Sequence, residues 1–172
     1  MNLDELKYFL NIAEDDDQYD DVIVSLYDLA KQLFFQHTRV TIDPITFTDT
    51  YPKFYGDSIF LYQAPVTEIV EAYMYKDVDD PGSPIPNFRR VESVLYFDTL
   101  FNGETIYITY KAGYQQIPGP IDQILAQLIS FLWNYDATKV FISGNSEGVL
   151  LPKDMEIPKH IRDNMAIYRI GL

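Results

Sequence analysis

The residues best suited by type to chemistry are carboxylates. Asp15, Asp16, Asp17, Asp20 and Asp21 crowd one short stretch, and such a run is where a hard divalent cation finds oxygen ligands. An EF-hand loop needs ligands at alternating positions, a glycine at the sixth and a glutamate at the twelfth. Counted from Asp15, those two positions hold Asp20 and Leu26. The pattern fails, and the aspartates read instead as a solvated approach to a helix N-terminus, where negative charge is favourable. His37 and His160 are the only histidines, and neither sits in a metal spacing such as HExxH. Ser143, in ISGNS, lacks a nucleophile-elbow context, so a Ser-His-Asp triad has no motif behind it. Asp98 and Glu104 flank an expected hairpin and could face each other, but acid–base work needs a cleft as well. Solvation at strand ends is the simpler reading. GSP at 82–84 and GNSEG at 144–148 lack the P-loop lysine and the dinucleotide-fold glycine spacing. No cysteine is present, which excludes disulfides, thiolate metal ligands and a cysteine nucleophile. No catalytic residue, metal ligand or cofactor is assigned from the sequence.

The elements that would hold such residues are more legible. A chain of 172 residues, 47% hydrophobic and 23% charged, supports one domain with a real core, with room for an appended arm. Its 14 Tyr and 11 Phe suit a tyrosine-rich sheet, a subunit interface, or both. The formal charge of −13 argues against a general DNA-binding protein, which needs a basic footprint. That charge is uneven. Residues 1–21 hold Asp4, Glu5, Glu14 and the five aspartates against Lys7. Residues 152–172 hold Lys153, Lys159, Arg162 and Arg169 against Asp154, Glu156 and Asp163. An acidic head and a mildly basic tail can attract each other between neighbouring copies. No stretch approaches the roughly 20 apolar residues of a membrane span, and the acidic, amphipathic MNLDELKYFL does not read as a signal peptide.

Hydrophobic periodicity predicts helices over about 3–12, 18–36 and 120–136. Asn2 and Glu5 form a capping-box pattern at the first. Tyr19, Val22, Ile23, Leu26, Leu29, Ala30, Leu33 and Phe34 make the stripe of the second. The third is apolar on most sides, which predicts burial, and Trp133 and Tyr135 on it read as core packing. Between about 40 and 115, β-branched and aromatic residues dominate, with Pro and Gly punctuation. SIFLYQAP, VTEIVEAYMYK, RRVESVLYFD and ETIYITYK read as strands, the last two joined at a tight turn on Asn102-Gly103. Ile106, Ile108 and Tyr110 should share one face of the last strand, and Tyr107, Thr109 and Lys111 the other. That strand stops in ITYKAGY. Gly113 can adopt angles closed to other residues, and Pro118, Gly119 and Pro120 then turn the chain into a helix. These four residues read as a structural hinge between an inserted sheet and a central helix. Pro158 opens a short final helix with Ile161 and Met165 on one face, followed by AIYRIGL, which looks extended. The fold class is α+β: a helical core of two N-terminal helices and a buried central one, an inserted antiparallel β-region, and a short C-terminal helix and tail.

Four stretches, in this order, carry a family resemblance. They are LDELKYFLNI with its acidic linker and DDVIVSLYDLAKQLF; LYQAPVTEIVEAYMYKD; ETIYITYKAGYQQIPGPIDQILAQLISFLWNY; and LPKDMEIPKHIRDNMAIYRIG. Together they make the chain resemble the head–tail connector, or head-completion adaptor, proteins of tailed bacteriophages, in particular longer members with a β-insertion. Asn11 departs from an arginine common in relatives, and GNSEGVLLPKDME looks longer than the usual connection. The resemblance implies a non-enzymatic virion protein that forms a ring, commonly twelvefold, beneath the capsid portal. Such a ring extends the DNA tunnel, which DNA crosses without sequence-specific binding, and docks a tail-side stopper or tail-completion protein. It implies a place at the virion neck, reached from the host cytoplasm during assembly, with no membrane partner. It also implies a connector domain over 1–151 and a C-terminal helix and docking tail over 152–172. The candidate portal-docking residues are then Ile161, Met165, Ile167, Tyr168, Arg169 and Ile170; the terminal AIYRIGL could add a strand to a partner's sheet edge, with Ile167, Tyr168 and Ile170 as anchors and Arg169 as a polar clamp, or fold back on its own domain. The alternative is a monomeric or dimeric ligand-binding module that uses the β-region. A weaker alternative is a hydrolase built from scattered Asp, Ser and His.

Overall fold

A computed structural model of the chain describes residues 1–76, 81–135 and 156–169. The fold is α+β. The chain divides into two compact units, one formed by Met1–Thr38 with Ile117–Leu172 and the other by Arg39–Gln116.

The first unit is helical. α1 (Leu3–Phe9) opens on a true capping box: Glu5 N–H donates to Asn2 Oδ1 at 2.9 Å, and Asn2 N–H donates to Glu5 Oε2 at 2.8 Å. It ends earlier than the periodicity predicts, because Asn11 takes a left-handed φ of 57°. A 3₁₀ turn (Asp17–Tyr19) leads into α2 (Asp20–Thr38). α2 buries Ile23, Leu26, Leu29, Ala30, Leu33 and Phe34, the expected stripe without Tyr19 and Val22. α3 (Gly119–Asn134) follows Pro118 at its N-cap, with proline in its first turn as expected. Ile121, Ile124, Leu125, Leu128, Ile129 and Leu132 are all buried. Each such side chain contributes roughly 1.5–3 kcal/mol. Trp133 meets Tyr19 edge-on, ring centroids 5.5 Å apart, so it serves packing within this unit. α4 (Lys159–Ala166) buries Ile161 and Met165.

The second unit is an antiparallel sheet of β1 (Ile45–Phe60), β2 (Val66–Tyr75), β3 (Ser83–Pro84), β4 (Phe88–Val91) and β5 (Val94–Ala112). β5 is its spine. Residues 105–112 pair with β2 on one side and β1 on the other; residues 94–97 pair with β4 and with the end of β1. Ile106, Ile108 and Tyr110 are fully buried, whereas Tyr107 and Lys111 are exposed, as alternation predicts.

Two expectations are corrected here. Asn102-Gly103 is not a turn, because β5 runs straight through it. Phe54 pairs with Glu104 while Tyr55 pairs with Asn102, so Gly103 (φ 105°) is an extra residue bulged out of the strand. The bulge reverses the pleat. Before it the buried residues are Leu95, Phe97 and Phe101; after it they are Ile106, Ile108, Tyr110 and Ala112. Odd positions point inward on one side of Gly103 and even positions on the other, which keeps one apolar face along a 19-residue strand. The actual reversal lies within RRVESVLYFD. Val91 pairs with Val94, and Glu92 takes the positive φ of 54° that the two-residue turn needs.

Candidate interaction surfaces

The acidic connection between α1 and α2 is built around Lys7. This lysine is only 2% exposed. Its Nζ donates to the Glu14 carbonyl at 3.0 Å and to Asp17 Oδ1 at 3.3 Å, and lies 2.8 Å from Asp20 Oδ1. The hydrogen bond to Asp20 raises the Lys7 pKa above the usual lysine value, against the opposing effect of desolvation. Two of the five aspartates therefore hold a cation of the protein itself. Among the described residues no group of three or more His, Asp or Glu side chains is arranged to hold a metal ion. The sequence carried the signal for this pairing, since Lys7 is the one base among the first 21 residues.

The C-terminal candidates separate by exposure. Ile161 and Met165 are 2% and 1% exposed and belong to the core of the helical unit. Ile167 is 79% exposed. Tyr168 is half-buried, its ring 6.1 Å from that of Phe34, and Arg169 is exposed. Ile170 lies outside the described residues. The segment up to Arg169 is coiled rather than extended: Tyr168 N–H donates to the Met165 carbonyl at 2.9 Å and Arg169 N–H to that of Ala166 at 3.2 Å. The last turn of α4 thus continues where an extended tail was expected.

Beside this turn is a groove of about 340 Å³ lined by His37, Lys159, Arg162, Asp163, Met165, Ala166 and Arg169. Burial, then the positive charges of Arg162 and Arg169, push the His37 pKa below the usual histidine value. Arg162 also pairs with Glu156 at 2.9 Å. His160, the other histidine, lines a different open groove of about 620 Å³ with Phe9, Gln127, Phe131, Pro158 and Ile161 among its walls. The two histidines therefore line different grooves.

In the sheet unit, Asp49 is a buried carboxylate with three donors nearby. Oδ2 accepts from Tyr110 Oη at 2.7 Å and from the Tyr62 N–H at 3.2 Å, and lies 3.2 Å from Tyr51 Oη. Tyr51 Oη is also 2.8 Å from the Phe60 carbonyl, and Tyr110 Oη accepts from Gln63 N–H at 3.1 Å. Burial first, and then Asp49, push both phenols far above the usual tyrosine pKa. The cluster ties β1, β5 and the 60–63 segment together, and sequence reading missed it because its members are far apart in the chain. Asp98 and Glu104 lie on one strand six residues apart rather than across a hairpin, and Glu104 Oε2 accepts from Asn102 N–H at 2.6 Å. Gly113 (φ 125°) sits against the Asp43–Pro44 backbone: a Cβ there would lie 2.3 Å from the Asp43 carbonyl oxygen. Gly119 has nothing within 4 Å of a Cβ. Ser143 and GNSEG at 144–148 fall outside the described residues.

No family model and no curated protein matches the chain. Solved structures do. A chain from the neck of an empty gene transfer agent (GTA) particle, computed with C6 symmetry, matches with a TM-score of 0.71 and 14% identity, over 100% of this chain and 90% of that one. A chain from the virion of a native GTA particle matches with a TM-score of 0.69 and 15% identity, over 100% and 90%. A chain from the neck of a native GTA particle, computed with C12 symmetry, matches with a TM-score of 0.66 and 16% identity, over 96% and 91%. The chain shares its fold with chains of GTA particles, two of them from necks.

Proposed function

We propose that this chain is a structural subunit of the neck of a tailed, phage-like particle. In this reading it forms a ring, twelvefold, beneath the capsid portal, extends the DNA tunnel and docks a stopper or tail-completion protein. The observation that carries the proposal is the match over 100% of this chain and 90% of a GTA neck chain at a TM-score of 0.71. A charge of −13 suits a tunnel that lets DNA pass without holding it, since like charge prevents tight phosphate binding. The chemistry assigned is recognition between surfaces; no catalytic step is proposed.

Within this reading the portal-docking element is the turn after α4. Ile167 offers its exposed apolar side chain, and Tyr168 and Arg169 flank it. Ile161 and Met165 act from beneath, fixing the helix that presents the turn. Replacing Ile167 by Asp alters a side chain that is 79% exposed, so stability should change by no more than about 0.5 kcal/mol. Portal co-sedimentation of the Ile167→Asp variant should be lost while its circular dichroism matches the parent. Undiminished portal binding by that variant would remove the docking role from this turn.

A further inference from the structure

Opposite charges lie beside the two ends of α2: acids of its own N-terminal stretch, and cations that α4 and the turn after it bring to its C-terminal end. α2 spans 19 residues, so its ends are about 28 Å apart at 1.5 Å per residue. At the N-terminal end Glu14, Asp15 and Asp21 are exposed, beyond the Asp17 and Asp20 that Lys7 engages. At the C-terminal end His37 borders the groove with Lys159, Arg162 and Arg169. Asp163 is the acid on its wall, and Glu156 engages Arg162. Burial first, and then the positive charges of Arg162 and Arg169, lower the His37 pKa there. Asp20 and Asp21 in the first turn of α2 also match the positive end of its dipole.

Poles separated by the length of one helix cannot meet within a single copy. A cationic groove on a protein of net charge −13 is poorly placed to hold nucleic acid, whose phosphates the rest of the surface repels. A second copy brings an acidic pole of the opposite sign. Contact between two different faces of identical subunits is heterologous, the type that closes rings. We propose that the groove bearing Lys159 and Arg162 is the docking site for the acidic α1–α2 connection, Glu14 to Asp21, of a second copy of this chain. The inference deepens the ring reading above and rests on it.

The absence of cysteine makes the test direct. An Asp15→Cys chain and an Ala166→Cys chain, the latter changed at an exposed, uncharged residue of the groove wall, are mixed at low salt and joined with a short bismaleimide. A cross-linked heterodimer is expected, reduced about tenfold or more by Arg162→Glu, since like charges then face each other, and reduced by 0.5 M salt. A Tyr55→Cys chain, changed at an exposed sheet residue, replaces the Asp15→Cys partner as control. Heterodimer yield no higher than this control overturns the inference. So does binding of a labelled DNA oligonucleotide that Arg162→Glu abolishes without self-contact, which would give the groove to nucleic acid. If the cross-link fails while the parent chain still joins portal, the pole contact is wrong and the neck reading stands. If it forms while the chain ignores portal, the contact stands and the neck reading falls.

Discussion

Lys7 Nζ lies 2.8 Å from Asp20 Oδ1, tying the last turn of α1 to the first residue of α2. The same ammonium reaches the Glu14 carbonyl, so one buried cation organises a connection that composition alone describes as a solvated acidic run. Replacing Lys7 by Ala leaves Asp20 facing its neighbouring carboxylates without a counter-charge. The urea midpoint should fall clearly further than for Lys31→Ala, whose pair with Asp28 lies on the α2 surface and is worth at most about 1 kcal/mol. Equal midpoints for the two variants would show that Lys7 is not what orders the connection.

Gly113→Val tests the end of β5. The position combines a left-handed φ of 125° with a Cβ site 2.3 Å from a backbone oxygen. Backbone strain alone costs about 1–3 kcal/mol, and relief of the clash must move the Asp43–Pro44 segment as well. Gly119→Ala, with open space at its Cβ, should be neutral within about 0.5 kcal/mol. Denaturant titration of both variants measures the contrast. The two hinge glycines differ because Gly113 faces the backbone of its own sheet unit and Gly119 faces open space.

The Asp49 cluster makes an alkaline prediction. A pKa raised in the folded state means stability that is complete below the unfolded tyrosine value, near pH 10, and is lost as pH rises through the folded value. Among the 14 tyrosines, Tyr51 and Tyr110 should therefore resist ionisation until the protein unfolds. Ultraviolet titration should show a late, cooperative step, and Tyr110→Phe should lower stability by about 1.5–3 kcal/mol, as expected for a hydrogen bond to a charged acceptor. Smooth ionisation of every tyrosine near pH 10 in the folded protein would contradict the cluster.

His37 gives the acid-side counterpart. Its folded pKa is depressed, so below about pH 6.5 the unfolded chain binds this proton more readily than the folded one. The parent should therefore lose more stability than His37→Asn between pH 7.5 and 5.5. Parallel loss in both proteins would show that the fold does not hold His37 below its usual pKa.

Much of this architecture is written locally. The α2 stripe, the α3 core face and the Asn2–Glu5 cap each depend on residues within a few turns of one another, so periodicity finds them. The errors arise where one local signal serves two geometries. Asn102-Gly103 suits a hairpin turn or a bulge, and only its partner strand β1 decides which. AIYRIGL has β-like composition, yet Met165 and Ala166 accept backbone bonds that prolong a helical turn through Arg169. The surfaces were less legible still. Lys7 and the His37 groove depend on contacts between α1, α2 and α4, and exposure divided the docking candidates by a criterion that spacing does not contain. Ile161 and Met165 face inward for the same reason that they form a neat apolar pair in sequence.

The most direct measurement is electron microscopy of the purified chain mixed with its cognate portal, with rotational symmetry imposed only after it is detected. A neck subunit gives an added annular layer on the portal, twelvefold, whose thickness fits one copy of this fold per position. A chain that stays monomeric and leaves the portal bare under conditions where other neck proteins bind it would contradict the proposed function.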